Sequence, residues 1–229
     1  MIVYIGIDDT DNKTSRGTGH LARKIAEHLS ANYHLEGITR HQLLFDPRVP
    51  YTAKNSCAAI ILKSQNEPNL YDLFRHVENL MMADFQQGSD PGLCVTSYVP
   101  DSIIDFGNKV KKDLVSQTEA RGLAEKHKIL LTGLGGTQDG VIGALAAVGL
   151  VHSGNDGRYV QIGQIREISG LQPFQTIINA GVKQIRTMEN DPITEGLIQA
   201  DKLRPARRES QPILYVNYDN GYWLPQKLD

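Results

Sequence analysis

An apolar segment that ends in three closely spaced carboxylates is the feature that most constrains this chain. Residues 2–8 combine apolar and β-branched side chains and predict a buried central strand. Asp8, Asp9 and Asp11 follow within four positions. Three carboxylates are costly to hold close together unless a positive charge lies among them. The usual partner is a divalent cation, above all Mg²⁺. The pattern predicts a metal or phosphate site at the strand end. An ordinary turn and helix cap would use the same residue types.

Composition is that of a globular protein. The chain has 229 residues, 40% of them hydrophobic and 22% charged, which suffices for one large domain or two small ones. The formal net charge is −2, so there is no overall attraction to nucleic acid or to a membrane surface. No apolar run is long enough to cross a bilayer, and Cys57 and Cys94 lack zinc-ligand spacing. We therefore expect a cytoplasmic protein with reduced cysteines and no membrane partner.

Hydrophobic periodicity predicts strands and helices in mixed order. Besides the first strand, it predicts strands at 35–45, 56–62, 93–99, 159–162, 183–187 and 213–218. It predicts helices at 19–31, 69–82, 101–112 and 116–126, after Gly140, and near 173–178. This order indicates an α/β fold, with α+β as the alternative. We expect a mixed sheet covered by helices, with a smaller C-terminal or inserted α+β subdomain.

A glycine-rich stretch from Thr132 to Ala147 is the second distinctive segment. It has four glycines between Gly133 and Gly140, followed by an apolar run that predicts a buried helix. A glycine loop that leads into a helix N-terminus suits a phosphate group. It is not a P-loop, because no Gly-Lys-Ser/Thr follows, and it lacks the third glycine of a dinucleotide fingerprint. A tightly packed turn would use the same glycines, and both interpretations stay open.

Two further segments carry positive charge. Residues 45–56 form a proline-stiffened loop with Arg48, Lys54 and Asn55, which could hold phosphates, although a solvated loop is favoured for this segment alone. The second is a basic run near the C-terminus that could meet RNA phosphates; a solvated charge run is the interpretation we favour. It contains Lys202, Arg204, Arg207 and Arg208.

These segments together resemble one family, the archaeal tRNA(Ile2) 2-agmatinylcytidine synthetases, and more narrowly their N-terminal kinase-like catalytic domain. The resemblance covers about residues 1–150. The shared motifs occur in the same order as in that family. They are Ile7-Asp8-Asp9-Thr10-Asp11, Asp46-Pro47-Arg48-Val49-Pro50-Tyr51 with Asn55, Ser89-Asp90-Pro91-Gly92, and Ile142-Gly143-Ala144-Leu145-Ala146-Ala147.

The resemblance implies an enzyme that uses ATP and Mg²⁺ for phosphoryl transfer. Asp8, Asp9 and Asp11 would hold Mg²⁺ and orient the phosphates. Asn55, with the catalytic Lys54 beside it, would lie near the transferring group, and Thr18 would stand for a threonine pair of the family. The nucleotide would be bound by Asn55, Gly135, Gly136, Thr137, Asp139, Gly140 and Gly143. The resemblance implies a kinase-like, nucleotide-binding catalytic region at 1–155, with room for an inserted subdomain at about 60–115, and an α+β region at 156–229 that completes the fold.

Departures from the family change the expected acceptor. Only one threonine, Thr18, occurs where the synthetases carry a pair, and the chain has no cysteine quartet for their zinc ribbon. We therefore expect a stand-alone relative, an ATP- and Mg²⁺-dependent phosphotransferase or ATP-activating, ligase-like enzyme. Its partners would be a nucleotide and an RNA or small-molecule acceptor, and a homodimer stays open. The alternatives are a haloacid-dehalogenase-like phosphatase that uses Asp9 and Asp11, and a non-catalytic nucleotide- or RNA-binding module.

Overall fold

The computed structural model describes residues 1–12, 14–49 and 54–228. Strands and helices follow in mixed order along the chain. They are β1 (Ile2–Asp8), α1 (Thr18–Leu29), β2 (His34–Gln42), β3 (Ser56–Lys63), α2 (Leu70–Ala83), β4 (Gly92–Thr96), α3 (Asp101–Val110), α4 (Gln117–Lys126), β5 (Leu130–Gly133), α5 (Gly140–Ser153), β6 (Arg158–Gln161), β7 (Leu171–Pro173), α6 (Phe174–Asn179), β8 (Gln184–Thr187), β9 (Pro192–Ile193), β10 (Leu197–Gln199), β11 (Ala206–Arg208), β12 (Gln211–Asp219) and β13 (Tyr222–Gln226).

The strands form one continuous sheet of mixed direction. Its first part has the order β5-β4-β1-β3-β2-β6, and every pairing there is antiparallel. It continues through β11, β12, β13, β10 and β7, and two pairings in this part are parallel, β10 with β13 and β8 with β12. The predicted mixed sheet covered by helices is therefore confirmed. Among the helices of the described ranges, none is both long and apolar enough to span a membrane.

Side chains that alternate along β1 supply two cores on opposite faces of the sheet. Val3, Ile5 and Ile7 are fully buried against α1 and α2. Tyr4 and the residues that share its face meet α5 instead, because successive side chains of a strand point to opposite faces. A third apolar cluster, with Ile165, Ile177 and Val216 among its members, lies within the C-terminal part. The expected boundary near residue 155 stays a prediction.

Helix α5 is apolar on all sides up to Val151, and all of these residues except Ile142 are buried. It packs on β1, β3 and β4 on one side and on α3 on the other. Two glycines of the sheet allow this close approach: a Cβ on Gly6 would lie 2.0 Å from the carbonyl oxygen of Ala144, and a Cβ on Gly92 would lie 2.0 Å from that of Gly140. The N-terminus of α5 is thereby placed beside the end of β1.

Two predicted strands end earlier than the apolar pattern suggests. The strand predicted at 93–99 is β4, which stops at Thr96, because the Thr96 hydroxyl donates to the carbonyl of Tyr98 at 2.8 Å and accepts from its backbone N–H at 3.1 Å. Such a local bond offers the backbone an alternative to the ladder. The strand predicted at 35–45 is β2, which ends at Gln42. Beyond it, the backbone N–H of Leu43 donates one further hydrogen bond to the carbonyl of Asn55.

Candidate functional site

A cavity of about 220 Å³ opens where β1 ends and where α1 and α5 begin. One wall carries carboxylates, another carries amide and cationic groups, and a third is apolar. The lining residues are Asp8, Asp9, Asp11, Thr18, Leu43, Leu44, Arg48, Val49, Lys54, Asn55, Ser56, Val110, Asp113, Leu114, Val115, Asp139, Gly140, Ile142 and Gly143. The structure thus brings together nine of the twelve site residues predicted from the sequence.

Asp8 lies under the first turn of α5. A Cβ on Gly143 would lie only 1.8 Å from Oδ2 of Asp8, so the absence of a side chain at position 143 makes room for this carboxyl. The pKa of Asp8 is raised to about 7, mainly by burial and then by the neighbouring charge of Asp9, while a backbone hydrogen bond from Asp9 opposes the shift. A carboxyl in this position holds its negative charge only at a cost, and a bound cation would remove that cost.

Asp9 adopts a left-handed backbone conformation, with φ of 48°, which turns the chain sharply after β1. The pKa of Asp9 is raised to about 6, mainly by burial and then by repulsion from Asp90, Asp11 and Asp139. Four carboxylates from three parts of the chain therefore act on one another here. This is the electrostatic setting of a cation site, and it disfavours a phosphate that arrives without a cation.

Asp11 accepts a hydrogen bond from Thr18, and its charge also acts on Asp8 and Asp9. The Thr18 hydroxyl donates to Oδ1 of Asp11 at 3.1 Å and accepts from the Thr10 hydroxyl at 3.1 Å. In the described ranges, no three side chains among His, Cys, Asp and Glu converge closely enough to hold a metal ion together. Asp8 and Asp9 are therefore the better pair, which fits Mg²⁺ because that ion uses one or two carboxylates and takes its other ligands from water and phosphates.

The predicted amide and cations also line the cavity. Asn55 is fixed, since its side chain donates to the carbonyl of Leu44 at 2.8 Å. Lys54 is exposed at the cavity mouth. Arg48 donates to both carboxylate oxygens of Asp46 at 2.8 Å each, and these bonds hold the pKa of Asp46 at about 2. The central part of the predicted loop, residues 50–53, lies outside the described residues.

Most of the glycine-rich stretch forms a locked turn beside the cavity. Gly135, Gly136 and Thr137 do not line it. Instead, the backbone N–H of Thr137 donates to Oδ1 of Asp90 at 2.7 Å, and the Thr137 hydroxyl lies 3.0 Å from Oδ2 of Asp90. Position 136 requires glycine for two reasons: its φ is 52°, and a Cβ there would lie 1.3 Å from Oδ1 of Asp90. Of this stretch, Asp139, Gly140 and Gly143 reach the cavity.

The N–H groups at the start of α5 already have acceptors within the protein. Gly140 donates to the carbonyl of Asp90 at 3.1 Å and Ile142 donates to that of Asp139 at 3.0 Å. The expected cradle of free N–H groups is therefore not formed by these residues. The helix still contributes the positive end of its dipole, which points toward the carboxylates of Asp8 and Asp9.

The apolar wall had no signal in the sequence analysis. It consists of Leu43, Leu44, Val49, Val110, Leu114, Val115 and Ile142. Val110 ends α3 and Ile142 lies in the first turn of α5, whereas the others come from the connections after β2 and between α3 and α4. Leu114 is 46% exposed, which is unusual for a leucine that serves only the core. A short apolar run between two amphipathic helices would have been the available signal. Asp90, which organises the glycine turn, is visible in the sequence only as part of the Ser89-Asp90-Pro91-Gly92 motif.

Comparison with known proteins gives this cavity a context. No protein-family model matches the chain. It is 26% identical over 151 residues to the tRNA(Ile2) 2-agmatinylcytidine synthetase TiaS of Cenarchaeum symbiosum, covering 64% of this chain and 33% of that protein. The solved TiaS–tRNA(Ile2)–ATP complex matches with a TM-score of 0.57 and 26% identity, over 65% of this chain and 36% of that one. The chain is a relative of the TiaS catalytic domain.

A second similar protein has no assigned activity. The chain is 31% identical over 153 residues to the uncharacterized protein MJ0921 of Methanocaldococcus jannaschii, covering 65% of this chain and 49% of that protein. The chain therefore spans between a third and a half of the curated relatives that it matches. The relationship to TiaS confirms the family that the sequence motifs indicated, and it extends over about two thirds of the chain.

Proposed function

We propose that this protein binds ATP with Mg²⁺ in the Asp8 cavity and transfers or activates a phosphoryl group there, as a relative of TiaS with its own acceptor. The cavity carries this proposal. Carboxylates that could hold a cation, groups that could meet phosphates and an apolar wall suited to a nucleoside base line one space of about 220 Å³. The relationship to TiaS, which has been solved with ATP and tRNA(Ile2), supports the choice of nucleotide.

The roles follow from the placement of the side chains. Asp8 and Asp9 would hold Mg²⁺, because both carboxyls are withdrawn from solvent and crowded by neighbouring carboxylates. When bound, Mg²⁺ would neutralise charge that develops on the phosphate oxygens. Asn55, on its rigid bond to Leu44, and Lys54 would contact phosphates from the opposite wall. Thr18 presents a hydroxyl, hydrogen-bonded to Asp11, toward the same space.

The acceptor is an RNA or a small molecule. TiaS has been solved with tRNA(Ile2), which favours an RNA, but this chain matches only about a third of TiaS. Phosphoryl transfer requires positioning and charge neutralisation more than covalent chemistry from the protein, so the same cavity could serve several acceptors. The identity of the acceptor depends on surfaces outside the cavity.

Calorimetric titration with ATP, with and without Mg²⁺, tests the nucleotide site. We expect binding that requires Mg²⁺ and that disappears in Asp8→Asn. Asp105→Asn, an exposed carboxylate on α3, is the matched control and should bind as the wild type does. Equal Mg²⁺–ATP binding by wild type and Asp8→Asn would contradict the metal assignment.

An ADP-release assay on the same samples separates the remaining alternatives. Turnover of ATP without a phospho-enzyme supports the phosphotransferase proposal. A stable aspartyl-phosphate at Asp9 or Asp11 would support the haloacid-dehalogenase-like alternative instead. Mg²⁺–ATP binding without turnover, in the presence of tRNA transcripts and small amines, would support a non-catalytic nucleotide-binding module.

A further inference from the structure

Three arginines from distant parts of the chain meet on the surface around β6. Arg166 donates through Nη1 to the carbonyl of Val160, a β6 residue, at 3.4 Å. Val160 also lies beside Gly19 of α1: a Cβ on Gly19 would be 4.0 Å from Cγ2 of Val160. The same Cβ would be 3.9 Å from Nη1 of Arg23. Arg23 and Arg166 therefore flank one point of contact between α1 and β6.

Arg204 joins this pair from the segment before β11. Its neighbour Pro205 accepts a hydrogen bond at 2.7 Å from the backbone N–H of Tyr159 in β6. Burial lowers the pKa of Arg204, and the charges of Arg166, Arg158 and Arg23 lower it further. Four guanidinium groups are thus close enough to repel one another. We define Arg23, Arg166 and Arg204 as the arginine surface.

No described carboxylate forms an ion pair with any residue of the arginine surface. Arg166 donates to the carbonyl of Val160, and Arg204 donates to the carbonyl of Leu203 at 2.6 Å. Cations that are kept close together without anions are costly, and an anionic ligand would relieve this cost. In a protein of net charge −2, such a local concentration of positive charge indicates a binding surface rather than a general property of the chain.

A basic path connects this surface to the cavity. Arg158 in β6 lies opposite Arg40 in β2 in the strand pairing. Nε of Arg40 donates to the hydroxyl of Ser56 at 2.9 Å, and Ser56 lines the cavity. The path therefore runs from the arginine surface, through Arg158 and Arg40, to the wall of the candidate active site.

We propose that the arginine surface binds successive backbone phosphates of an RNA strand and that Arg158 and Arg40 lead this strand to the cavity. A polymer fits better than a single small anion, because the cations come from several elements and continue toward the cavity. None of the exposed large apolar side chains in the described residues belongs to this surface, so the apolar anchor of a membrane-surface site is not provided here. Only the role of the RNA as acceptor rests on the proposed function; binding of RNA to the arginine surface does not.

The test compares the triple variant R23Q/R166Q/R204Q with the wild type. Binding of a labelled tRNA(Ile2) transcript is measured by fluorescence anisotropy over a series of salt concentrations. We expect the triple variant to bind about tenfold more weakly, or worse, and its salt dependence to be shallower by about one unit of slope for each phosphate that is no longer neutralised. R121Q is the matched control, because Arg121 lies on α4 and donates to Gln138 at 2.7 Å; it should bind as the wild type does.

Further measurements on the same proteins separate the outcomes. Equal RNA affinity and salt slope in wild type and triple variant would overturn the proposal. It would also be overturned if the arginines were required for binding to phosphatidylserine vesicles and the protein did not bind RNA. Mg²⁺–ATP titration of the triple variant should match the wild type, since none of the three arginines lines the cavity. Arginine-dependent RNA binding by a wild type that does not bind ATP would sink the proposed function and still support this surface.

Discussion

Oδ2 of Asp8 occupies the space in which a side chain at position 143 would begin, 1.8 Å from the Cβ that Gly143 lacks. Gly143→Ala should therefore displace the carboxyl or push α5 away from the sheet. We expect a loss of about 1–3 kcal/mol in the free energy of unfolding, together with loss of Mg²⁺–ATP binding. Chemical denaturation and calorimetric titration measure the two effects. Gly122→Ala on α4, where nothing lies within 4 Å, should instead be neutral or stabilise by up to about 1 kcal/mol.

The raised pKa of Asp8 predicts how stability depends on pH. The folded carboxyl, with a pKa of about 7, binds a proton that the unfolded chain, near 3.8, releases. The free energy of unfolding should therefore fall as pH rises from about 4 to about 7 in the absence of divalent cations. Asp8→Asn removes the part of this dependence that comes from Asp8 and leaves the part from Asp9, whose pKa is also raised. The variant should therefore be more stable than the wild type at pH 8 and similar to it near pH 4. Urea denaturation across this range checks the sign, and a variant less stable than wild type at pH 8 would contradict it.

Protons and Mg²⁺ should compete for Asp8 and Asp9. Both carboxyls must lose their protons to hold the cation, and their pKa values are about 7 and about 6. We expect Mg²⁺ to raise the melting temperature markedly at pH 8 and hardly at pH 5, with affinity falling by about tenfold per displaced proton and pH unit below these values. Thermal denaturation with and without Mg²⁺ at several pH values measures this. A shift that does not vary with pH would place the cation elsewhere.

Asp90 couples the glycine turn to the carboxylate cluster. Asp90→Asn keeps the shape of the side chain but replaces one acceptor oxygen with a donor, so the hydrogen bond with the Thr137 hydroxyl is weakened. We expect a loss of about 1 kcal/mol in stability. The pKa of Asp9 should also fall toward 3.8, because Asp90 is the largest charge that raises it. NMR titration of the carboxyl carbons of wild type and variant would measure the pKa of Asp9. An unchanged pKa in the variant would refute the coupling.

The pair of His41 and Asp156 should stabilise the fold. His41 is fully buried, with Nδ1 2.8 Å from Oδ1 of Asp156 and Nε2 2.8 Å from the Thr39 hydroxyl, and Lys111 pairs with the other oxygen of Asp156. Asp156→Ala would leave the histidine and the lysine without their acceptor. We expect a loss of about 2–4 kcal/mol in the free energy of unfolding. Urea denaturation of this variant and of Asp105→Asn provides the comparison; equal stability would contradict the structural role.

Sequence patterns located the first core and the family but not the shape of the site. The period of the apolar residues in α1 and α2 was visible because one face of each helix meets the sheet, and β1 was visible because it is buried on both faces. The role of Gly143 beside Asp8 could not be predicted, because it depends on how α5 crosses β1. The apolar wall at Leu114 joins residues from connections that are distant in sequence.

The basic C-terminal run shows why local composition misleads. A solvated charge run was the favoured interpretation, yet Arg207 is only 6% exposed and donates to the carbonyls of Val151 and Ser210. Arg204, three positions earlier, belongs to a surface that includes α1. Neighbouring arginines therefore have different environments, Arg207 in the interior and Arg204 at the arginine surface. The pairing of β11 with β6 determines which of them is buried.

The burial of α5 ties the evolution of this cavity to folding. Because the floor of the cavity is also the most enclosed helix of the core, replacements there would be removed by selection for a folded chain before any new ligand preference could appear. The part of the apolar wall formed by Leu114 and Val115 lies on the connection between α3 and α4. These side chains are less buried than those of α5, so packing restricts their replacement less. Relatives with different acceptors should therefore diverge along this connection while keeping small residues on the floor.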